Sequence, residues 1–320
     1  MARERLPRER HPLHVLGTPF SLRTASRPAD IGSVGRFASA FAFLAVLVVI
    51  LGSAGCGQRF DELGGGSPPG QASFAADALT GLKEAGSAHV VVDAQAGAIM
   101  GTNAQVGIHF EGDVSASALA GDLKLSFPGG TLGARVLADE QDVYVRFMGA
   151  WYHEDAGVGD ALDMAGEENG ELLSQLTTPA GLGKLFTQLF EGEIAQGPDL
   201  GGASTWEFDG RLRAETFANL VEEYGGTDLT ANDRALFDTV AATSHLVVDV
   251  GQEDALPRKL ELTLDPPKDL HFDSEELESS DGAFSVTVEF SDFGEEVSFS
   301  PPTSPKPLDE LFGQLFGVMG

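Results

Sequence analysis

Leu119-Ala120-Gly121-Asp122-Leu123-Lys124-Leu125-Ser126-Phe127 is the stretch that decides the fold. From Asp122 onward polar and apolar residues alternate, so a strand here places Leu123, Leu125 and Phe127 on one face and polar side chains on the other. The run ends at Pro128-Gly129-Gly130, residues that favour a turn. The stretch therefore predicts one arm of an antiparallel hairpin with a single apolar face.

The same strand character recurs on both sides of this stretch, in segments bounded by Gly, Asn, Asp or Pro. Strands are predicted before it over residues 88–96 and 104–115, and after it over residues 132–138 and 142–147. Later strands are predicted over residues 193–196, 204–208, 244–250, 258–264 and 284–290. Because consecutive strands are joined by short connections, the sheet is expected to be antiparallel.

Three helices are predicted among the strands. The first covers residues 73–85, with Ser73 as its expected cap and Gly86 as its end. The second covers residues 179–190 and the third residues 214–224, each with apolar residues at helical spacing. The stripe of the second helix consists of Leu182, Leu185, Phe186, Leu189 and Phe190. Strands and helices together predict an α+β fold.

The only cysteine, Cys56, follows an uncharged, mostly apolar run over residues 37–51 and four small residues. A basic lead, an apolar run and small residues are typical of a secretory signal. The segment resembles a bacterial lipobox, in which the cysteine is acylated, although Ser53 stands where that motif usually has Leu, Ile or Val. Lipidation of Cys56 is expected. A plain cleaved signal and a retained signal-anchor are the alternatives, since the run approaches the ~20 residues that span a bilayer.

Four regions follow from these features. Residues 1–55 are expected to be a signal peptide with a long basic lead, and residues 56–72 the lipidated cysteine with a flexible linker. Residues 73–300 are expected to form one folded domain. Residues 301–320 combine a Pro-rich spacer with a short amphipathic helix. One cysteine allows no disulfide within the chain, so the domain must rest on its hydrophobic core.

The chain is strongly acidic, with a net charge of −29, although its first 55 residues carry seven Arg against three acidic residues. Nucleic acid is excluded as a partner, because binding to phosphates needs clustered Lys and Arg. The negative charge favours solubility. It would also keep the body of the protein from lying flat on an anionic membrane surface. The acidic residues are scattered and form no calcium-binding loop.

The sequence lacks the motifs of nucleophilic, zinc-dependent and phosphate-binding enzymes, among them Gly-x-Ser-x-Gly and His-Glu-x-x-His. No local metal pair is formed, since no two His lie three or four residues apart among His89, His109, His153, His245 and His271. Paired carboxylates that meet only in the fold remain as the enzymatic alternative. The sequence therefore predicts a protein that is not an enzyme, with no cofactor and no metal.

Several short segments resemble the LppX/LprG-type lipoproteins of actinobacteria, which share the fold of the lipoprotein carrier LolA. The resemblance lies in residues 82–90, 121–125 followed by Gly129-Gly130, 142–145 followed by Trp151, and 256–260. It extends over roughly residues 73–301. It implies a strongly curved antiparallel sheet, a half-barrel, wrapped around helices with an apolar cavity between them.

The resemblance also implies a function. The chain is expected to bind acylated lipids or glycolipids and to carry them across the cell envelope. It would be anchored through Cys56 on the extracytoplasmic face of the cell membrane, with an envelope transporter as a candidate partner. The cavity is expected to be lined by Leu123, Leu125 and Phe127, then by Val136, Val145 and Phe147 on neighbouring strands and by Phe186 and Phe190 of the central helix.

The residues themselves leave a second interpretation open. Apolar stripes on helices and strands must pack together, but the stripes do not show whether they enclose a void. A non-enzymatic scaffold or sensor lipoprotein with a solid core fits the same pattern. Its C-terminal helix would then dock on a partner, whereas in a lipid carrier that helix could cover the cavity.

Overall fold

A computed structural model describes residues 67–97, 105–155, 177–225, 229–265 and 284–311. The predicted signal region, Cys56, His271 and most of the predicted C-terminal helix lie outside these residues. None of the helices in the described ranges has the length and apolar character needed to cross a bilayer.

The described residues form four named helices and one 12-stranded sheet. The helices are α1 (Gln71–Ala85), α2 (Pro179–Leu189), α3 (Ala214–Gly225) and α4 (Ala231–Ala242). The strands are β1 (Ser87–Ala96), β2 (Val106–Ser115), β3 (Leu119–Phe127), β4 (Gly130–Ala138), β5 (Val143–Phe147), β6 (Ala150–Glu154), β7 (Phe190–Gln196), β8 (Thr205–Leu212), β9 (Ser244–Gly251), β10 (Pro257–Leu264), β11 (Phe284–Ser291) and β12 (Lys306–Pro307). The predicted α+β class is confirmed.

The sheet is curved and unclosed, with the strand order β12-β6-β5-β4-β3-β2-β1-β11-β10-β9-β8-β7. Neighbouring strands are antiparallel throughout, except that β12 pairs with β6 in parallel at one edge. Short hairpins explain the antiparallel order from β2 to β6, because such turns reverse the chain between neighbouring strands. The expected antiparallel sheet is therefore confirmed.

One face of the sheet is apolar along nearly the whole strand order. Side chains directly opposite each other on neighbouring strands lie on the same face. One such row runs through Ile194, Phe208, Val248, Leu260, Val288, Val92, Phe110, Leu123, Ala134, Phe147 and Ala150. A slip of one residue would turn this set toward the opposite face, so the alternation in the sequence fixes the register. We call this side the apolar face.

Helices α1 and α2 pack together and cover part of the apolar face. The largest core cluster joins Phe74 of α1 and Leu185 of α2 to Val248 and Leu262 of the sheet. The two helices approach closely at Gly183, where a Cβ atom would lie 2.3 Å from the carbonyl oxygen of Ala72. The contact therefore requires glycine, and it fixes how far α2 lies from α1.

Some elements differ from the sequence expectations. Helix α1 begins at Gln71, so Ser73 lies inside the helix, where its hydroxyl donates to the Gly70 carbonyl rather than capping the first turn. Gly86 ends the helix as predicted, in the left-handed conformation with φ of 76°. The sequence prediction omits β6 and α4. Lys306 and Pro307, in the Pro-rich segment, pair with β6, and Leu311 just beyond them is buried.

Candidate functional site

An apolar cavity of about 80 Å³ lies between the α1–α2 pair and the sheet. Helix α1 contributes Phe74, Ala75, Ala78, Leu79 and Leu82, and α2 and the residue after it contribute Leu182, Phe186 and Phe190. The sheet side is formed by Leu246, Val248, Pro257, Leu260, Leu262 and Phe290. Every lining residue is aliphatic or aromatic, so the cavity offers no group for acid–base or nucleophilic chemistry. Its chemistry is that of apolar binding.

The volume limits what the cavity holds in this conformation. A water-sized occupant needs ~10–15 Å³, so about 80 Å³ corresponds to roughly five to eight such occupants. This is room for a short piece of an acyl chain. A longer chain must either separate the helices from the sheet or continue along the apolar face outside the cavity.

Phe186 connects the two helices and the sheet around the cavity. Its ring lies 4.8 Å from the ring of Phe208 in an edge-on arrangement, 5.2 Å from Phe190 and 6.3 Å from Phe74, measured between centroids. Such edge-on and tilted pairs are favourable beyond the area they bury. The aromatic cluster therefore holds α2 against both α1 and β8.

Two glycines make room for this aromatic cluster. A Cβ atom at Gly192 or Gly210 would lie 2.8 Å or 2.5 Å from the Phe208 ring. The Phe208 ring thus covers the places that side chains on β7 and β8 would otherwise fill, and it is fully buried. These glycines allow a flat aromatic wall beside the cavity, a requirement of close approach.

The structure brings only two of the sequence-predicted lining residues, Phe186 and Phe190, into the cavity. The other six lie on β3, β4 and β5, on the same apolar face but beyond the cavity. Leu123, Val136, Val145 and Phe147 are half-buried, whereas Leu125 and Phe127 are exposed. Leu123 belongs to the same cross-strand row as the cavity residue Leu260.

The sequence reasoning missed the cavity residues of α1 and of β9, β10 and β11. The signal for α1 was present, because Phe74, Ala78, Leu79 and Leu82 share one face of the predicted first helix. No sequence signal shows which strands a helix covers, since that depends on packing between distant segments. The expectation that β3 lines the cavity came from the resemblance of residues 121–125 to the LppX/LprG-type pattern, which did not indicate β9 or β10.

Two carboxyl groups near this part of the fold have shifted pKa values. Burial raises the pKa of Asp77, which precedes the cavity residue Ala78 on α1. On the opposite face of the sheet, burial raises the pKa of Asp249 to about 6, and the charge of Glu207 adds to the effect. Lys259 and a long contact of 3.5 Å with the Thr205 hydroxyl act in the other direction. Neither carboxyl group lines the cavity.

Asp142, His153 and Asp155 form the cluster of the described residues that could hold a metal ion, with ligand atoms within 4.8 Å of one another. The Nε2 atom of His153 lies 2.7 Å from Asp142 and 3.2 Å from Asp155. These are distances of direct hydrogen bonds and ion pairs, which need no metal. His89, His109 and His245 are likewise paired with an Asp across neighbouring strands. Cross-strand His–Asp pairing therefore explains the cluster.

No family model and no curated protein matches this sequence. Among solved structures, the chain is similar to the lipoprotein LppX of Mycobacterium tuberculosis, with 15% identity and a TM-score of 0.41 over 72% of this chain and 98% of that chain. LprF from Mycobacterium bovis shows 15% identity and a TM-score of 0.38 over 74% and 99%. A DUF1329 family protein from Desulfovibrio piger shows 9% and 0.23 over 73% and 96%. LppX and LprF are lipoproteins, and LppX is one of the proteins that name the group the sequence resembles.

Proposed function

We propose that this chain is a lipoprotein of the cell envelope that binds the acyl chain of a lipid or glycolipid between the α1–α2 pair and the sheet. The observation that carries the proposal is the fully apolar lining of the cavity, which combines side chains from two helices and four strands. A site without polar groups recognises hydrocarbon and leaves a headgroup outside. The proposal includes no catalytic step.

The energetics of such a site suit a carrier. Each buried methylene group is worth ~0.8 kcal/mol relative to water, so an acyl chain gains on the order of 10 kcal/mol in an apolar host. A bilayer offers nearly the same gain. Moving the chain from membrane to protein is therefore close to balanced, and the protein can both take up and release its cargo.

The apolar face continues beyond the cavity, where Val288 is fully buried, so a bound chain must first displace the side chains that cover it. From Leu260 in the cavity the cross-strand row continues over Val288, Val92 and Phe110 to Leu123. Four strand spacings cover ~19 Å, comparable with the ~15 Å that the chains of one leaflet span. We propose that a bound chain extends along this row, so that the predicted lining residues of β3, β4 and β5 contact its outer part.

The anchoring and the transport step are further parts of the proposal. Acylation of Cys56 would hold the domain at the extracytoplasmic face of the cell membrane. The linker after it is roughly 15 residues long, which gives an average reach of ~20 Å and leaves the domain free to reorient. An envelope transporter remains a candidate partner for onward transfer.

Mass spectrometry tests the proposal most directly. A soluble form that begins at Gly57 is purified from its own host without detergent, then measured under native and denaturing conditions. All described contacts lie within residues 67–311, so this form keeps the whole described fold. A lipid mass that is released only on denaturation supports binding and identifies the cargo class. A mass without lipid, repeated after incubation with a host lipid extract, contradicts the proposal.

A scaffold or sensor lipoprotein with a solid core is the second candidate. It is favoured by one observation, the small volume of about 80 Å³. A domain of this kind needs no expansion of the cavity and binds no lipid. The same mass measurement separates the two candidates.

A further inference from the structure

Large apolar side chains exposed on the described part of the chain gather in one region. These residues are Ile108, Leu125, Phe127, Leu132 and Met148, with exposed fractions between 36% and 88%. Single exposed apolar residues scattered over a surface are ordinary, whereas a contiguous group marks an interaction site. The distribution therefore calls for a functional explanation.

The register of the sheet shows that four of them are neighbours. Ile108, Leu125 and Leu132 lie directly opposite one another on β2, β3 and β4. Phe127 lies two residues beyond Leu125, on the same face, where β3 ends at the turn into β4. We call these four residues the apolar tip. Met148, which is 88% exposed, lies in the adjacent turn between β5 and β6.

The strand segments that form and flank the apolar tip are poor in acidic residues, unlike the rest of the chain. The protein has 49 acidic residues, yet none occurs in residues 105–110, 123–138 or 143–153. These segments contain Lys124, Arg135 and Arg146. Among the described residues, Arg135 pairs with Asp122 at 3.5 Å, while Lys124 and Arg146 form no ion pair. An apolar surface with free cations beside it is complementary to an anionic lipid surface.

Further acidic residues occur in residues 266–283, the segment that joins β10 to β11. Only β1 separates β11 from β2, which carries Ile108 of the tip, so the start of β11 lies ~10 Å from the tip along the sheet. This exceeds the Debye length of ~8 Å at physiological ionic strength, and the repulsion is screened accordingly.

We propose that the apolar tip inserts into the surface of an anionic bilayer. Lys124 precedes Phe127 by three residues, or ~10 Å along the strand. Apolar faces of interfacial elements are buried ~5–10 Å deep at the boundary of headgroups and acyl chains. When Phe127 reaches the acyl chains, Lys124 is therefore level with the phosphate groups.

The start of α1 supports this orientation. The Gln71 side chain donates a hydrogen bond to the Gly192 carbonyl. Gly192 belongs to the cross-strand row that runs through Gly210, Leu246, Leu262, Val286 and Ala94 to Ile108. The first turn of α1 is thus level with the tip along the strand direction, six strand spacings (~28 Å) across the sheet from Ile108. An anchor on Cys56 would keep the domain near the membrane, and repulsion of its acidic remainder from an anionic surface would favour contact through the tip.

Fluorescence quenching in reconstituted membranes tests the proposal. The full chain is placed in vesicles of equal parts phosphatidylcholine and phosphatidylglycerol with brominated acyl chains, as the variants Phe127→Trp and Ser117→Trp. Ser117 is exposed in the turn between β2 and β3, at the opposite end of the sheet. The native Trp151 and Trp206 contribute equally to both variants. Strong quenching at position 127 and none at position 117 is expected, and equal quenching overturns the proposal.

Reversing the charge of two basic residues distinguishes two causes of quenching at position 127, which are docking of the tip on the membrane and a lipid bound along the apolar face. Lys124 lies on the opposite face of β3, where a lipid on the apolar face does not reach it. Each basic residue near an anionic surface strengthens docking roughly fivefold, so Lys124→Glu combined with Arg146→Glu should markedly reduce quenching at position 127. Vesicles of phosphatidylcholine alone should do the same. Quenching that survives both changes overturns docking, even if bound lipid is found, so this proposal and the lipid-binding proposal fail separately.

Discussion

Ala78→Leu should fill the cavity from the side of α1. It is expected to stabilise the lipid-free protein and to reduce the amount of lipid bound. Ala78 lines the cavity and is half-buried, so the three added carbon atoms have empty apolar space to enter. Ala76 lies on the same helix, outside the cavity lining. Ala76→Leu therefore makes the same chemical change without filling the void, and the small difference in helix propensity is the same in both variants.

The expected gain in stability follows from the cavity volume. Cavities cost about 24 cal/mol per Å³, so filling about 80 Å³ stabilises the lipid-free protein by about 2 kcal/mol. Burying three carbon atoms at ~0.8 kcal/mol each gives a similar figure. For a domain of this size the gain corresponds to a rise in Tm of about 4–8 °C. Strain from imperfect fit would reduce it.

Thermal unfolding of lipid-free protein and lipid mass spectrometry measure the two effects on the same samples. Ala78→Leu should melt at a higher temperature than Ala76→Leu and should carry less lipid. An unchanged lipid content in a stabilised Ala78→Leu variant would show that the lipid does not use this cavity. A lower Tm for Ala78→Leu than for Ala76→Leu would show that the space is already filled.

Three further changes test other parts of the structure. Because burial raises the pKa of Asp249 to about 6, the folded state binds a proton more tightly than the unfolded state, and the native chain should gain stability at this site as the pH falls from about 7 to about 5. Asp249→Asn should therefore raise the Tm at neutral pH, with a benefit over the native chain that shrinks toward pH 5 in thermal melts. Gly183→Ala should lower the free energy of unfolding in urea by about 1–3 kcal/mol, since its Cβ would meet the Ala72 carbonyl, whereas Gly133→Ala meets nothing within 4 Å and should not. Leu123→Trp should keep the native circular dichroism spectrum and lower the lipid content; unchanged loading would show that bound lipid ends before β3.

Most of the strands could be predicted because alternation is a local property. The pattern of residues 119–127 matches β3 from end to end, since a half-apolar strand needs only its own residues to show its two faces. Helix α4 was missed because its apolar stripe is weak. The sequence does contain a start signal for α4, because Thr230 and Asp233 form a capping box at the beginning of the helix.

The cavity could be predicted only in part, because a void depends on distances between segments far apart in the chain. The apolar stripe that contains Phe186 predicts a buried face, but the separation of α2 from the sheet follows from contacts such as that of Gly183 with Ala72. The same limit explains Leu125 and Phe127, which are predicted as lining and lie exposed. Alternation identifies the apolar face, whereas the positions of the helices determine which part of it is covered.

The uncovered part of the apolar face is difficult to explain by folding stability alone. Because they are exposed, the side chains of Ile108, Leu125 and Leu132 contribute little to the free energy of folding. Polar residues at these positions would lower the risk of association with other molecules. The same face leads without a polar interruption from these residues through Ala94 and Val286 to Leu262 in the cavity. An acyl chain that leaves a bilayer at the tip could follow this row and remain in contact with apolar side chains. The exposed tip and the buried cavity are then two ends of one surface, and a polar substitution at Ala94, between them, should slow lipid uptake while leaving both ends intact.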